Sequence, residues 1–425
     1  MKVTLISPPS PFLIDQKAFP PLGLLYVAGF LEHNGIEISV ADLAGKETEL
    51  ENALEPYIDA NLYGITSTSP QYPQALKILT ILRRRNPKAR IVIGGAYPSS
   101  LPDKCIKDGF DHVIAGEGEE AMLQLITNID KKEICSVINA SYIQDMDTIP
   151  LPARHLIDIQ SFAYDIGDGR GTTLITSRGC PFTCSFCSKE VWQNGTRFHS
   201  TDYVISELEH VINNYDFKHF LFLDDTITIR RKRLLELCSR MERFNIKWRC
   251  YARTTTTREM LIAMKRAGCI EIGVGVESGS QKILDIVDKN ETVEQNSAFV
   301  ELCKEVGILA NVFIMIGLPG ETYETVEETR RWMESVRPHK FGFNIFMPYA
   351  GTPVYKNPGR YDIQIFDVPE ERSWVKGRQG EYESFVATSE LSRKEIERLF
   401  GELFTHYTEL TSWTPGVGTR ALVQT

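Results

Sequence analysis

Short apolar runs alternate with amphipathic stretches along the first 130 residues of the chain. Runs rich in β-branched residues, each ending in small or turn-forming residues, predict five strands: KVTLISPP, IEISVADL, ANLYGITSTS, ARIVIGGAY and FDHVIAGEGE. Helical spacing of apolar residues predicts helices such as LGLLYVAGFLEHNG, which Gly35 ends, and YPQALKILTILRRRN. Strands separated by helices predict a doubly wound, Rossmann-like α/β domain with a parallel sheet. We expect its ligand crevice at the carboxyl ends of the strands.

A second alternation follows, with strands predicted over TTLITSRG, HFLFLDDT, KWRCYART, IEIGVGVES, LANVFIMIG and FGFNIFMPY. Six β/α units predict a partial (β/α)6 or full parallel barrel. Between the alternations, the prolines of TIPLPARH suit a linker. The tail is mixed, with one clear helix, SRKEIERLFGELFTHYTEL. The expected organisation is a doubly wound domain over 1–135, a linker over 136–164, a barrel over 165–350 and a small C-terminal region over 351–425.

Composition places the chain among soluble globular proteins, with 42% hydrophobic and 24% charged residues. A length of 425 residues is too great for one core, which favours two or three domains. The net charge of -9 and the lack of a dense basic run argue against a nucleic-acid partner. The start, MKVTLISPPSP, is too short for a signal peptide or a membrane anchor. Nine cysteines, an odd number, do not resemble a disulfide framework, so we expect a reducing cytoplasm.

Three cysteines lie within eight positions on the loop that leaves the first strand of the second alternation. Cys180, Cys184 and Cys187 form the pattern C-x3-C-x2-C. One interpretation is a structural zinc site with His199 as the fourth ligand, but the spacing is not that of two C-x2-4-C units. The other is an iron–sulfur cluster bound by three thiolates, which leaves one iron open to chelate a substrate or cofactor.

The stretch GCPFTCSFC resembles the signature of the radical S-adenosylmethionine (SAM) enzymes, C-x3-C-x-aromatic-C, with Phe186 as the aromatic residue. The resemblance extends over residues 172–355. It implies a [4Fe-4S] cluster on the three cysteines and SAM bound to the open iron through its amino and carboxylate groups. It further implies cleavage of SAM to methionine and a 5′-deoxyadenosyl radical, driven by an external one-electron reductant of the flavodoxin or ferredoxin type.

The same resemblance implies a set of SAM-binding residues at the ends of the barrel strands. Phe186 and the IGLPGET loop are expected near adenine, the FLDDT end near the methionine part, Arg253 at the carboxylate and the GVGVESGS segment at the ribose. The implied residues are Phe186, Asp224, Asp225, Arg253, Glu277, Ser278, Leu318 and Pro319. Each has a structural alternative, because an aspartate after a strand often caps a helix and an arginine often forms an ion pair.

The segments before the barrel resemble the cobalamin (B12)-binding branch of this superfamily. The resemblance is carried by ISPPSP, FPPLGLLYVAGFLEHNG, GGAYPSS and AGEGEE. The implied cobalamin-binding residues are Pro9, Ser10, Ser67, Ser69, Gln71, Gly94, Gly95, Gly116, Glu117 and Gly118. GEGEEA also fits a dinucleotide fingerprint, but that motif belongs after the first strand, not the fifth.

Histidines are poorly placed to bind the corrin. Where this branch usually has a histidine, the GGAYPS segment has Tyr97, and none of the eight histidines lies in a D-x-H-x-x-G loop. We therefore predict that cobalamin binds without a histidine ligand and with its own base displaced. A domain that has lost cobalamin is the alternative, because fold alone does not establish a ligand.

The resemblance implies methylation of an unactivated carbon of a small molecule or biosynthetic intermediate, through methylcobalamin and the 5′-deoxyadenosyl radical. The alternative within the branch is a cyclisation or rearrangement without methyl transfer. Methylthiotransferases need three cysteines in the N-terminal domain, where this chain has only Cys105 and Cys135. A non-catalytic cobalamin or redox sensor is disfavoured by the retained cysteines. No general acid or base is predicted, and Tyr349 and Trp374 are either substrate contacts or ordinary core or surface aromatic residues.

Overall fold

The computed structural model describes residues 1–13, 15–129, 135–162, 164–192, 195–367 and 383–409. These residues divide into two compact units. The first contains Met1–Tyr164 together with Lys189–Ser200, and the second contains Asp165–Ser188 together with 201–367 and 383–409. Trp374, one of the two aromatic residues considered for substrate contact, lies outside the described residues.

The first unit is built on a six-stranded sheet in the order β2-β1-β3-β4-β5-β6, with every neighbouring pair parallel. The strands are β1 Val3–Ser7, β2 Ile38–Asp42, β3 Leu62–Thr66, β4 Arg90–Gly94, β5 His112–Ala115 and β6 Val137–Asn139. The five predicted strands are confirmed. The sixth lies within 136–164, the segment expected to be a linker, and pairs Val113 with Val137.

Helices cover both faces of this sheet. They are α1 Leu22–His33, α2 Leu50–Leu54, α3 Tyr72–Arg85, α4 Ala96–Ser100, α5 Pro102–Lys107 and α6 Gly118–Asn128. Because side chains alternate along a strand, Leu5 packs with Leu25 and Leu125 on one face, and Ile6 packs with Ile78 on the other. The doubly wound prediction is confirmed. The strand order reverses between β1 and β3, which is where doubly wound sheets bind ligands.

The second unit contains a seven-stranded sheet in the order β15-β14-β13-β12-β11-β8-β7. Its strands are β7 Tyr164–Ile166, β8 Gly169–Leu174, β11 His219–Phe222, β12 Lys247–Ala252, β13 Cys269–Glu277, β14 Leu309–Ile316 and β15 Lys340–Ile345. Two-residue strands are β9 Ser177–Arg178 in this unit and β10 Arg197–Phe198 in the first. The six predicted strands form a continuous parallel array, so the partial-barrel prediction is confirmed.

Helices alternate with these strands along the chain. They are α7 Thr201–Tyr215, α8 Arg231–Met241, α9 Arg258–Arg266, α10 Gln281–Ile286, α11 Val293–Val306 and α12 Tyr323–Val336. Several have a polar N-cap, as in α11, where Thr292 and Gln295 form a reciprocal capping box. This strand–helix alternation gives the second unit the architecture of a half-barrel.

A buried polar layer fills the half-barrel near the amino ends of its strands. Glu271 lies 3.1 Å from Arg249 Nη2 and 2.6 Å from Lys340 Nζ, and it accepts a hydrogen bond of 3.1 Å from Asn311. Burial alone would raise the pKa of Glu271, but the two cations outweigh it and the pKa is lowered. Since residues four apart on a strand share a face, Arg253 continues this face beyond the carboxyl end of β12.

The C-terminal region packs against the last strands of the half-barrel. It consists of α13 Pro353–Lys356, the antiparallel pair β16 Ile363–Ile365 and β17 Val386–Thr388, and α14 Arg393–Glu409. Tyr407 of α14 places its ring 5.9 Å from that of Phe341 and 5.6 Å from that of Phe343. The predicted tail helix is therefore confirmed. Among the described residues, no helix is long and apolar enough to cross a membrane.

Candidate active site

The three clustered cysteines lie between β9 and β10, on the part of the chain that belongs to the second unit, and none of them forms a disulfide. Cys184 is buried, and Cys180 and Cys187 are half-buried. The loop turns back on itself, because the Cys187 amide donates to the Cys184 carbonyl at 3.1 Å. This places three potential metal-ligating thiols on one loop at the carboxyl end of the half-barrel, where barrel enzymes carry their active sites.

Backbone hydrogen bonds hold this loop to two other segments of the second unit. The Ser185 amide donates to the Val287 carbonyl at 2.9 Å, and the Val354 amide donates to the Ser185 carbonyl at 3.1 Å. Ser185 itself is completely buried. The loop that carries the cysteines is therefore anchored in its middle by two backbone bonds.

The other cysteines of the second unit differ in their surroundings. Cys238, Cys250, Cys269 and Cys303 are all buried in the core. Burial raises the pKa of Cys238 and of Cys303 to about 12, which keeps both as unreactive thiols.

No group of three or more His, Cys, Asp or Glu side chains among the described residues converges on a single metal-ion position. A cubane cluster does not require such convergence, because each of its cysteines binds a different iron. His199, the candidate fourth ligand of a zinc site, is completely buried in the first unit. Its Nδ1 lies 3.4 Å from Asp147 Oδ1 and its ring 6.4 Å from that of Tyr26.

Asp224 holds the start of the cysteine loop. It is completely buried, and its carboxylate accepts hydrogen bonds from the Thr176 amide at 3.0 Å, the Thr176 hydroxyl at 2.7 Å and the Ser177 hydroxyl. Burial raises the pKa of Asp224 against the lowering effect of these donors. Asp225, the next residue, is exposed. The two predicted aspartates thus occupy different environments.

Four buried charges surround the end of β13. Arg253 Nε lies 3.1 Å from Glu291 Oε1, and Lys289 Nζ lies 2.9 Å from Glu277 Oε1 and 3.6 Å from Glu291 Oε2. Burial would lower the pKa of Lys289, but the carboxylates of Glu277 and Glu291 outweigh it and the pKa is raised. The structure therefore brings two predicted residues, Arg253 and Glu277, into one network with two others, Lys289 and Glu291.

Two features of β13 accommodate this network: the strained backbone at Glu277 and the glycine at position 275. Glu277 has a φ of 65°, in the left-handed region that a residue with a side chain rarely adopts. A register shift between Gly275 and Glu277 accompanies it. A Cβ at Gly275 would collide with Glu277 Oε1 and lie 3.1 Å from Lys289 Nζ. Only glycine at 275 leaves room for the Glu277–Lys289 pair.

The remaining predicted SAM residues lie on loops packed by internal contacts. Ser278 is buried, with its hydroxyl 3.2 Å from that of Thr329 on α12. Leu318 and Pro319 are buried in the loop after β14, where the Glu321 carboxylate accepts a hydrogen bond from the Gly317 amide. Burial raises the pKa of Glu321 to about 8. Phe186 is half-buried, and Tyr349 is also half-buried with its pKa raised to about 12 by burial.

In the first unit, hydrogen bonds connect the loops after β1 and β3. Gln71 Nε2 donates to the Pro8 carbonyl at 3.3 Å and to the Ser10 hydroxyl at 3.0 Å. Gln16 bonds both the Ser10 amide, at 2.6 Å, and the Gly45 amide after β2, at 2.9 Å. Ser69 is half-buried in the same turn as Gln71, and Pro9 is buried beside Ser10. Side-chain amides of Gln16 and Gln71 thus join the loops at the switch point of the sheet.

The chain of contacts continues across β4 and β5. The Ser67 amide donates to the Gly94 carbonyl at 2.9 Å, and Ser99 bonds the Gly95 carbonyl at 2.7 Å and the Gly116 amide at 3.0 Å. Gly95 has a φ of 103°, and a Cβ there would lie 2.9 Å from the Ser67 carbonyl oxygen. The predicted residues of these loops, including Gly118 at the start of α6, therefore share one edge of the sheet.

Glu117 is engaged by the protein. Its buried carboxylate forms a bidentate pair with Arg197, at 2.7 and 2.9 Å, and accepts a hydrogen bond of 2.9 Å from the Ile143 amide. Arg197 lies ten residues after Cys187, on the segment Lys189–Ser200 that belongs to the first unit.

Among the described residues of the first unit, no histidine lies on these loops. His33 is exposed at the end of α1, His112 starts β5, His155 pairs with Glu32 at 3.1 Å and His199 is buried as described above. Tyr97, which stands where a histidine is usual, is buried with its ring 4.2 Å from that of Tyr72. We call the loops after β1, β3, β4 and β5 the loop edge of the sheet. Its described residues offer backbone, hydroxyl and amide groups to a ligand, but no imidazole.

Two domain families match the chain. The radical SAM superfamily matches residues 174–333, and the B12 binding domain matches residues 16–126. An uncharacterized methyltransferase of Pyrococcus horikoshii is 30% identical over 384 residues, which cover 84% of this chain and 83% of that protein. The anaerobic magnesium-protoporphyrin IX monomethyl ester cyclase of Rubrivivax gelatinosus is 27% identical, covering 82% of this chain and 68% of that one.

The fold has a counterpart among solved structures. The radical SAM methyltransferase TsrM from Kitasatospora setae, with cobalamin and a [4Fe-4S] cluster bound, superposes with a TM-score of 0.69. The sequence identity is 20%, and the match covers 87% of this chain and 81% of that one. Fold and cysteine loop together define a radical SAM enzyme. The chain belongs to the cobalamin-binding branch of the radical SAM superfamily, and its cofactors are a [4Fe-4S] cluster, SAM and cobalamin.

Sequence reasoning missed several residues of these two sites. Lys289 and Glu291 lie in VDKNET, a polar turn between two helices that carries no recognisable motif. The sequence also did not single out Arg197 or Phe182, whose ring centre lies 3.8 Å from the Arg253 guanidinium and which lies inside the first cysteine spacing. Lys289 and Glu291 lie 12 and 14 positions after the end of β13, so only the fold brings them beside that strand end.

Proposed function

We propose that the protein is a cobalamin-dependent radical SAM methyltransferase that methylates an unactivated carbon of a small molecule or biosynthetic intermediate. One observation carries this proposal: a single chain combines three clustered cysteines on a loop at the carboxyl end of a half-barrel with a B12-binding domain. The relative from Pyrococcus horikoshii, which is named as a methyltransferase, supports methyl transfer over other reactions of the branch.

Cys180, Cys184 and Cys187 are proposed as the cluster ligands. Three thiols suit a cluster with one open iron, and the buried Arg253 guanidinium donates toward Cys184 Sγ at 3.8 Å. When bound, the cluster supplies an electron for SAM cleavage and cobalamin supplies methyl transfer. The electron comes from an external reductant, for which we propose a flavodoxin or ferredoxin.

The SAM site is proposed at the carboxyl ends of the half-barrel strands. Asp225, which is exposed, is assigned to the methionine part, whereas the contacts of Asp224 support an indirect role through the cysteine loop. Arg253 and Glu277 contribute charge beside the SAM amino and carboxylate groups. The other proposed contacts are Phe186, Ser278, Leu318 and Pro319.

Cobalamin is proposed to bind the loop edge of the first unit. The hydrogen bonds that join the loops after β1, β3, β4 and β5 preorganise a surface of small residues and backbone groups, which suits a large flat macrocycle. The proposed contacts are Pro9, Ser10, Ser67, Ser69, Gln71, Gly94, Gly95, Gly116 and Gly118. Glu117 is assigned an indirect role, because Arg197 and Ile143 engage its carboxylate.

The second candidate function is a radical cyclisation without methyl transfer. The Rubrivivax gelatinosus relative, which is named as a cyclase, is the observation that favours it. The two reactions differ in how SAM is consumed. A methyltransferase of this branch uses one SAM as methyl donor and a second as radical source, whereas a cyclase needs only the second.

Product stoichiometry separates the two reactions. Anaerobically reconstituted enzyme is incubated with cobalamin, a reductant and SAM labelled with deuterium in its methyl group, against a panel of small molecules. The methyltransferase proposal predicts S-adenosylhomocysteine and 5′-deoxyadenosine in equal amounts, and a product heavier by one labelled methyl group. The cyclase would be supported if 5′-deoxyadenosine formed without S-adenosylhomocysteine and the product carried no deuterium label. Cys184→Ala is the control and should form no 5′-deoxyadenosine.

A further inference from the structure

The buried charges beside the cysteine loop exceed what packing alone requires. Arg253, Lys289, Glu277 and Glu291 are each at most 7% exposed. Burying ion pairs costs desolvation energy, and apolar residues of similar size often stabilise a core equally well or better. A network of two cations and two carboxylates at the end of a barrel strand therefore calls for a role other than stability.

The arginine of this network faces the cysteine loop. Arg253 Nη1 donates to Cys184 Sγ at 3.8 Å, and the guanidinium lies 3.8 Å from the centre of the Phe182 ring. A third bond runs from Nη2 to the Lys289 carbonyl. The guanidinium thus joins the cysteine loop to the 289–291 turn and places its positive charge against a cysteine sulfur.

The carboxylates hold the two cations in place. Glu291 accepts a bond of 2.9 Å from the Thr254 amide and pairs with Arg253 Nε at 3.1 Å. Glu277 pairs with Lys289 at 2.9 Å. Arg253 and Lys289 are therefore fixed by protein contacts that do not depend on a bound ligand.

We propose that Arg253 and Lys289 are positioning residues that set the reduction potential of the cluster bound through Cys184. This inference rests on the proposed function, because it requires a cluster on the three cysteines. Reduction adds one negative charge to the cluster, so a nearby fixed cation stabilises the reduced form more than the oxidised form. Hydrogen bonds to a ligating sulfur act in the same direction. The two cations, of which Arg253 contacts a cysteine sulfur, thereby make the cluster easier to reduce.

Arg249 on β12, the strand that Arg253 directly follows, provides a matched control. It is also a buried arginine, at 4% exposure, and it pairs with Glu271 at 3.1 Å. It precedes Arg253 by four residues, which is about 13 Å along a strand. Removing Arg249 disturbs a comparable ion pair without removing a charge from beside the cysteine loop.

The test is a redox titration of the cluster, monitored by electron paramagnetic resonance in the absence of SAM. Wild type, Arg253→Met, Arg253→Lys, Lys289→Met and Arg249→Met are reconstituted anaerobically, and their iron is counted. We expect a more negative midpoint potential in Arg253→Met and Lys289→Met, an intermediate value in Arg253→Lys, and the wild-type value in Arg249→Met. A purely structural role for Arg253 would lower iron content without moving the potential of the clusters that form.

The outcomes are distinguishable from failure of the proposed function. If wild type holds no four-iron cluster, the proposed function is wrong. If wild type holds the cluster and the potential is unchanged in Lys289→Met and Arg253→Lys, the inference is overturned, even where Arg253→Met holds no iron. An equal shift in Arg249→Met would also overturn it, because the effect would then not be specific to the charges beside the loop.

Discussion

The bidentate pair between Glu117 and Arg197 offers a quantitative test of how the loops of the first unit are held. The side chain of Glu117 is 1% exposed and that of Arg197 is 15% exposed. Replacing Arg197 by Met would remove both bonds of the bidentate pair and leave the buried Glu117 carboxylate without its cation, while the Ile143 amide still donates to it. Breaking a buried pair in this way costs about 3–5 kcal/mol, and the remaining bond favours the lower end of that range.

An exposed arginine–glutamate pair serves as the control for the free-energy loss expected in Arg197→Met. Arg231 and Glu259 also form an ion pair, but each side chain is 56% exposed. Solvent screening limits an exposed pair to about 1 kcal/mol or less, so Arg231→Met should be nearly neutral. The two arginine substitutions remove the same atoms and differ in burial.

Hydrogen exchange measured by mass spectrometry is the suitable assay, because a protein of two compact units need not unfold in one step. A loss of about 3 kcal/mol corresponds to exchange more than about 100-fold faster in peptides that contain Glu117 and Ile143. The double variant Glu117→Gln/Arg197→Met should recover part of the loss, since it removes the unpaired charge. Exchange in Arg197→Met within about threefold of wild type, or equal to that in Arg231→Met, would refute the reasoning.

Three further predictions follow from the other sites. Replacing Cys180, Cys184 or Cys187 by Ala should abolish the cluster. Iron content should be unchanged when any other cysteine is replaced, namely Cys105, Cys135, Cys238, Cys250, Cys269 or Cys303. Loss of the metal in His199→Ala would favour the zinc interpretation instead. The cob(II)alamin complex should show no threefold nitrogen splitting in electron paramagnetic resonance, and such splitting would contradict the absence of an axial nitrogen. The pKa of Glu321, raised to about 8, means that the folded state binds a proton more tightly than the unfolded state. Stability should therefore be greatest below about pH 4.5 and fall, through this group, up to about pH 8, by at most about 1.4 kcal/mol per pH unit. The free energy of unfolding of Glu321→Gln, measured with urea, should fall less steeply between about pH 4.5 and 8 than that of wild type. An equal fall in both proteins would contradict this role of Glu321.

Hydrophobic patterning was sufficient for the architecture because the predicted strands of both sheets are parallel to their neighbours and mostly buried. Five strands of the first unit and six of the second stand out as apolar runs. The sequence did not predict β6, because Val137–Asn139 has only three residues, of which two are half-buried and one is exposed. Its membership in the sheet comes from pairing with β5, which a local pattern does not reveal.

The cysteine loop was predictable because its spacing is local, whereas its surroundings depend on contacts distant in sequence. Arg253 meets Glu291 and Cys184, which are 38 and 69 positions away, and Arg197 meets Glu117 across 80 positions. Pairing partners at such separations are set by the fold. For the same reason the protein donors to the Glu117 and Asp224 carboxylates were not predictable from the sequence.

The central claim is that three cysteines hold a cluster whose open iron binds SAM. Low-temperature electron paramagnetic resonance of the anaerobically reconstituted, reduced protein, recorded before and after addition of SAM, tests it most directly. We expect one four-iron cluster for each chain and a spectrum that changes when SAM coordinates the iron. A cluster whose spectrum is identical with and without saturating SAM, or a protein that binds zinc in place of iron at the three cysteines, would show that the proposed function is wrong.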